Sequence, residues 1–134
     1  MPLTEPKWIT LEALHLMHSI QVERFGGSAG VRDPGAVESA LNRARNRFHY
    51  GGSDIDLADL AAAYLYGLAQ SQGFVDGNKR TGLAAALAFL DINGRPLHVP
   101  GSELYTLTLA VADEKTRWSE SQVAAWIRER IEGS

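Results

Sequence analysis

The sequence predicts an all-α fold, a single compact bundle of about six helices spanning residues 1–134. Three observations carry that expectation. Apolar residues recur at helical spacing in successive segments. Strand-type alternation is nearly absent. Glycines, prolines and capping residues fall where each apolar stripe begins or ends. A chain of 134 residues can bury a real core as one domain, and no repeat, low-complexity stretch or linker divides it.

Residues Met1 to Ile9 read as an arm in which Trp8 makes a contact. Thr10 can cap a helix running to about Phe25. Leu11, Leu14, Met17 or His18, Gln21 or Val22, and Phe25 fall near one face, and Gly26-Gly27 stops the helix. Gly30-Val31-Arg32-Asp33-Pro34 is a turn, with Asp33 as N-cap and Pro34 opening a second helix. Val37, Ala40, Leu41, Ala44 and Phe48 line its face, and Gly51-Gly52 ends it. Asp56 begins a third helix, with Asp59 in the first turn, where an acid complements the helix dipole. Leu57, Leu60, Ala61, Tyr64, Leu65 and Leu68 keep helical spacing in a segment apolar nearly all round, residues 56–70, which marks the central helix. A fourth helix, over residues 79–93, carries Leu83, Ala86, Leu87 and Leu90 among alanines that allow close packing, and Asn93-Gly94 terminates it. Arg95 to Pro100 reads as extended or irregular, with prolines near both ends. Leu104, Leu107, Thr108 and Val111 mark a fifth helix. Ser119-Glu120-Ser121-Gln122 is a capping-box pattern ahead of Val123, Trp126, Ile127 and Ile131.

Bulk properties exclude several classes. No run approaches the ~20 apolar residues a membrane helix needs. The N-terminal residues lack the basic-then-apolar pattern of a signal peptide. The absence of cysteine excludes disulfides and thiolate metal sites. These features fit a cytoplasmic protein. A formal net charge of -3 argues against nucleic acid as a direct partner, since phosphate binding leaves a basic footprint.

The chemistry gathers between the third and fourth helices, at Gln72-Gly73-Phe74-Val75-Asp76-Gly77-Asn78-Lys79-Arg80-Thr81. Phe74 and Val75 are apolar inside a polar loop and are expected to anchor it to the core. Asp76-Gly77-Asn78 is turn chemistry, and Asn78 is a good N-cap for a helix whose first turn is Lys79-Arg80-Thr81. That arrangement points free backbone N–H groups and two cations at one spot, which fits a phosphate. Asp76 is placed to hold a hard cation such as Mg2+ against it. The bland alternative is ordinary helix punctuation with a solvated basic turn. Cations at a helix N-terminus cost ~0.3–1 kcal/mol each, however, so two in succession call for an anion.

Other candidates are weaker. His15, His18, His49 and His98 are scattered, and none sits with Cys or Glu at metal-ligand spacing. His15 and His18 are three apart on a helix and read as packing or surface histidines rather than a metal pair. Arg43 to Tyr50 is the one basic, aromatic-bearing segment. It reads as the solvated face of the second helix with Phe48 in the core, or alternatively as a nucleic-acid patch.

The segment Gly73 to Gly82 resembles the active-site loop of the Fic/Doc family, in its death-on-curing (Doc) branch, whose pattern is His-x-Phe-x-Asp/Glu-x-Asn-Gly/Lys-Arg. Phe74, Asp76, Asn78, Lys79 and Arg80 match. Lys79 stands where adenylylating members have glycine, which is the mark of the Doc branch. Residue 72, where the family has its catalytic histidine, is glutamine. The likeness extends to Arg24-Phe25-Gly26-Gly27, Gly30-Val31-Arg32-Asp33, Glu38-Ser39-Ala40-Leu41 and Tyr50-Gly51-Gly52, and so covers most of the chain.

The resemblance implies a Fic/Doc-like fold and a toxin of a toxin–antitoxin pair. Such a toxin transfers the γ-phosphoryl of ATP to a threonine of translation elongation factor Tu and blocks translation. Position 72 is then catalytic, together with Asp76, Lys79 and Arg80. Asp76 holds Mg2+, and Gly77, Asn78, Lys79 and Arg80 grip the nucleotide phosphates. A neutral glutamine cannot accept a proton, though it can orient a hydroxyl, so activity is expected to be impaired. The resemblance also implies a Phd-like antitoxin whose C-terminal helix enters a groove near the loop. It offers a third reading of residues 43–50, as a flap that pairs with the target backbone. Two alternatives stand beside this. One is an inactive module that still binds nucleotide, antitoxin or target. The other is adenylyl transfer to a protein hydroxyl, which Lys79 disfavours.

Overall fold

Local chemistry sets the helix boundaries. The computed structural model describes residues 3–112, 115 and 117–132. The Thr10 side chain accepts from the Ala13 amide and opens α1 (Leu11–Phe25), and Gly26, at φ 85°, closes it. Asp33 caps α2 (Pro34–Tyr50) by accepting from the Ala36 amide, with Pro34 in the first turn. Asp56 and Asp59 each accept from the other's backbone amide at the start of α3 (Leu57–Ser71), a reciprocal cap. Helix α4 (Asn78–Ile92) follows a short loop, and α5 (Gly101–Ala112) follows residues 95–100, which belong to no regular element. Ser119 and Gln122 form the capping box that starts α6 (Glu120–Glu132). Six helices are therefore present among the described residues, with no strand, and the β-type pairing among those residues is an isolated antiparallel bridge between Val31 and Phe74.

Helix α3 is the axis of the bundle. Nine of its fifteen residues are buried, and it packs most extensively on α4, then on α2 and α6. Leu60, Leu65 and Leu68 are fully enclosed, each contributing ~1.5–3 kcal/mol by leaving water. Alanines at 61, 62, 63 and 69 let the neighbouring helices approach closely. Helices α3 and α4 approach closely at Gly82, where an added Cβ would lie 3.0 Å from the Leu65 carbonyl and 3.3 Å from the Leu68 Cβ.

Helix α1 packs on the outer side of α4. The N-terminal arm is docked, with Trp8 stacked on Phe89 and edge-on to Phe48. Asn93 exchanges two hydrogen bonds with the Lys7 backbone. Met1 and Pro2, at the start of the expected arm, lie outside the described residues. Helix α6 is tied to α3 by Arg128, which donates to both Asp56 and Asp59. Desolvation is the largest influence on the Asp56 carboxylate and works against it, but the hydrogen bonds from Arg128 and from the Asp59 amide together outweigh it and hold Asp56 below the ordinary range, whereas burial pushes Asp59 up.

Three sequence expectations need correction. Helix α4 starts at Asn78, and its N-cap is Gly77, in the left-handed region at φ 80°. Its buried face includes Ala85 and Phe89, while Leu83 and Leu87 are half-buried, because α1 and α5 also flank it. Phe25, expected on the apolar face of α1, is 54% exposed, since the last turn of α1 overhangs the loop rather than the core. On the close approach at Gly82, Gly82→Leu is expected to destabilise the domain by ~1–3 kcal/mol through overpacking. Urea unfolding followed by circular dichroism measures it, and an unchanged midpoint would refute the packing described.

Candidate active site

The loop from Gln72 to Gly77 is held from three directions. Gly73 abuts α2 so closely that a Cβ there would sit 2.6 Å from Val37 Cγ2 and 2.9 Å from the Val37 amide nitrogen, which excludes any side chain. The Gly73 carbonyl accepts from the amides of Arg32 (2.8 Å) and Asp33 (3.0 Å), and the Val75 amide donates to the Gly30 carbonyl (3.2 Å). Phe74 is fully buried. His18 stacks on its ring at 3.8 Å, and His15 meets it edge-on at 5.8 Å. Asn78 reaches back so that its Oδ1 accepts from the Phe74 amide and its Nδ2 donates to the Phe74 carbonyl, both at 3.0 Å. His18 Nε2 lies 2.7 Å from the Asp76 carbonyl. A carbonyl only accepts, so His18 is the donor.

These anchors leave a distinct set of groups facing outward. Asp76 Oδ2 accepts from the Ser28 amide at 2.7 Å, and Oδ1 has no partner among the described residues. The start of α4 has no side-chain cap, and its first intrahelical donor is the Thr81 amide, bonded to the Gly77 carbonyl. The amides of Asn78, Lys79 and Arg80 precede that donor and are uncommitted within the helix. Lys79 and Arg80 are exposed, with no carboxylate partner among the described residues, and Arg80 lies over the Phe25 ring at 4.7 Å. Gln72 is exposed in the left-handed region at φ 55°, the one non-glycine residue there among those described.

All six residues singled out in the sequence, Gln72, Asp76, Gly77, Asn78, Lys79 and Arg80, line one cleft of about 730 Å³. Its opposite wall is Leu104, Tyr105, Thr108 and Leu109 of α5. Nothing in the sequence pointed to that wall, because α5 is far along the chain and its exposed Tyr105 and Leu109 look like ordinary surface residues. No group of three or more acidic, histidine or cysteine side chains that could hold a metal occurs among the described residues, and Asp76 is the single carboxylate that lines the cleft.

Several site expectations change. Asn78 does not cap α4 with its side chain, which is buried and bonded to Phe74, so its main-chain amide is what remains at the helix start. Val75 is 37% exposed and lines the cleft, leaving Phe74 as the anchor. His18 packs in the core, as read from the sequence, but also bonds the loop, a role that its place on the α1 stripe did not reveal. Residues 43–50 cannot act as a backbone-pairing flap, because they lie inside α2. Arg43 and Arg47 pair with Glu120 of α6, and Phe48 is half-buried against Trp8.

Comparison with known proteins gives concordant results. Residues 8–90 match the Fic/DOC family. The chain is 37% identical over 126 residues to the protein kinase doc of Escherichia phage P1, covering 94% of this chain and 96% of that protein. It is 46% identical over 70 residues to Toxin Doc of Mycolicibacterium smegmatis, covering 52% of this chain and 54% of that protein.

The Asn78 clamp yields a direct prediction. Asn78→Ala leaves the buried Phe74 amide and carbonyl unpaired and is expected to cost at least ~1–3 kcal/mol. Denaturant unfolding checks the size, and an effect below ~0.5 kcal/mol would show that the clamp contributes little.

Proposed function

This chain belongs to the Fic/DOC family, in its Doc branch, and on that premise we propose that it is a Doc-type toxin transferring the γ-phosphoryl of ATP to a threonine of translation elongation factor Tu, thereby blocking translation. The supporting observation is the uncapped start of α4, bearing Lys79 and Arg80, beside the Asp76 carboxylate and the exposed residue 72 in one cleft. The free Asp76 Oδ1 is a hard oxygen donor, which fits Mg2+ shared with phosphate oxygens. The ion would neutralise phosphate charge there. Phosphoryl transfer depends mainly on positioning and charge stabilisation, and this chain supplies both. The amides of Asn78, Lys79 and Arg80 are donors that need no reorganisation. Arg80 offers a charge-assisted contact, and Lys79 a point charge.

Gln72 is the group nearest in sequence to the chemistry that cannot do a base's work. It can donate to and accept from a target hydroxyl but cannot take its proton. This favours a second reading, a catalytically silent member that still binds nucleotide or partners. A cognate, Phd-like antitoxin with a C-terminal amphipathic helix completes the proposal. Tyr105 and Leu109, four apart on α5, and Phe25 give the cleft an exposed apolar side of the kind such a helix covers.

The test is a comparison of labelled phosphate transfer from ATP to elongation factor Tu. Gln72→His is expected to raise transfer by ~10^2–10^4-fold, the usual worth of a general base, with little change in nucleotide affinity. Histidine tolerates the left-handed backbone at position 72 better than most residues. Arg80→Ala in that background is expected to remove the gain. A Gln72→His protein as inert as the parent would sink the substrate assignment or leave the binding module standing. A fully active parent would remove residue 72 from the proton transfer.

A further inference from the structure

His18 is 4% exposed and lies on α1, away from the loop in sequence, yet it touches the loop twice. Its ring stacks on Phe74 with the planes 10° apart, and its Nε2–H is donated to the Asp76 carbonyl at 2.7 Å. The same Asp76 is bonded at its carboxylate by the Ser28 amide. A Cβ on Gly27 would come within 3.1 Å of the Asp76 Cβ, so the chain after α1 closes over that side chain. Asp76 is thus fixed at its carbonyl from α1 and at Oδ2 from the segment after α1, which leaves Oδ1 as its free oxygen. The Gly77 turn follows directly, with His18 Cδ2 3.7 Å from where a Gly77 Cβ would stand. The placement of His18 therefore bears on both the carboxylate and the first amides of α4.

We propose that His18 is a positioning residue for the phosphate site, acting through its Nε2–H on the Asp76 carbonyl to fix the Asp76 carboxylate as a cation ligand. This rests on the reading of Asp76 as the group that holds Mg2+ beside nucleotide phosphate. Partners that orient a metal-bound ligand matter nearly as much as the ligand itself.

Two substitutions in the full chain separate the hydrogen bond from the ring. His18→Phe keeps the stack on Phe74 and removes the donor. His18→Gln keeps an N–H of similar reach and removes the stack. Calorimetric titration with ATP, with and without Mg2+, is paired with hydrogen exchange of the Ser28 and Val75 amides in the ligand-free proteins. We expect His18→Phe to lose ~10–100-fold of Mg2+-dependent affinity and protection at both amides, while His18→Gln stays close to the parent in both. A purely structural role predicts the reverse order, with phenylalanine the better replacement, and that result would overturn the proposal. So would unchanged exchange in His18→Phe. If His18→Phe does not fold, His18→Gln decides alone, because a loss of ~tenfold or more in that variant contradicts action through the donor. If the parent shows no Mg2+-dependent binding, the reading of the site as an ATP·Mg2+ site falls. The exchange data then still decide whether the His18 donor fixes the loop.

Discussion

Phe74 can be buried only if its own amide and carbonyl find partners away from water, and Asn78 supplies both. The consequences run outward from that pair. With Phe74 fixed, Gly73 is pressed onto Val37, and its carbonyl collects the amides that lead into α2. Asn78 is the first residue of α4, so closing the Asn78–Phe74 ring also sets where that helix begins and in what direction its free amides face. The ring stack with His18 joins the same point to α1. One buried side chain thus coordinates three helices around a six-residue loop, and the residues between the anchors are left facing the cleft.

The outward residues break the local rules that the rest of the chain obeys. Helices α1, α2, α3 and α6 all start with a side-chain cap, whereas α4 has none and puts two cations where the dipole disfavours them. Gln72 occupies a backbone region that most L side chains avoid. Departures of this kind concentrate at functional sites, where stability is given up for an exposed reactive group or an open binding position. Here both lie along one cleft wall, and the strongly packed α3–α4 pair behind them supplies the stability to tolerate them.

The fold was legible because its signals are local. Thr10, Asp33 with Pro34, and Ser119 with Gln122 act as the caps that their sequence spacing suggests, and Asp56 with Asp59, read only as a helix start with a first-turn acid, form a reciprocal cap. The cluster at Asp76, Lys79 and Arg80 was legible for the same reason, since turn and first helical turn are contiguous. Asn78 misled because Asn is equally suited to capping a helix and to bonding a nearby backbone, and only the burial of Phe74 selects between the two. His18 and the α5 wall were not legible, since their roles arise from contacts 58 residues apart for His18 and Asp76 and from the far side of a cleft for Tyr105 and Leu109. The flap reading of residues 43–50 does not hold because all of them are helical: α2 runs through to Tyr50 and ends at Gly51, as the Gly51-Gly52 pair suggests.

Anchors and exposed cleft residues are segregated: Gly73, Phe74 and Asn78 are buried, while Gln72, Asp76, Lys79 and Arg80 are exposed. Residue 72 makes none of the hydrogen bonds or ring contacts that hold the loop. The contacts that anchor the loop are therefore independent of the side chain at position 72, and only its left-handed backbone limits which residues fit there. Glutamine and histidine codons differ by a single base, so under the proposed function one mutation at this codon would separate a reactive protein from a quiet one of the same shape. A lineage carrying such a gene could mute a harmful product and later regain it without rebuilding the protein around it.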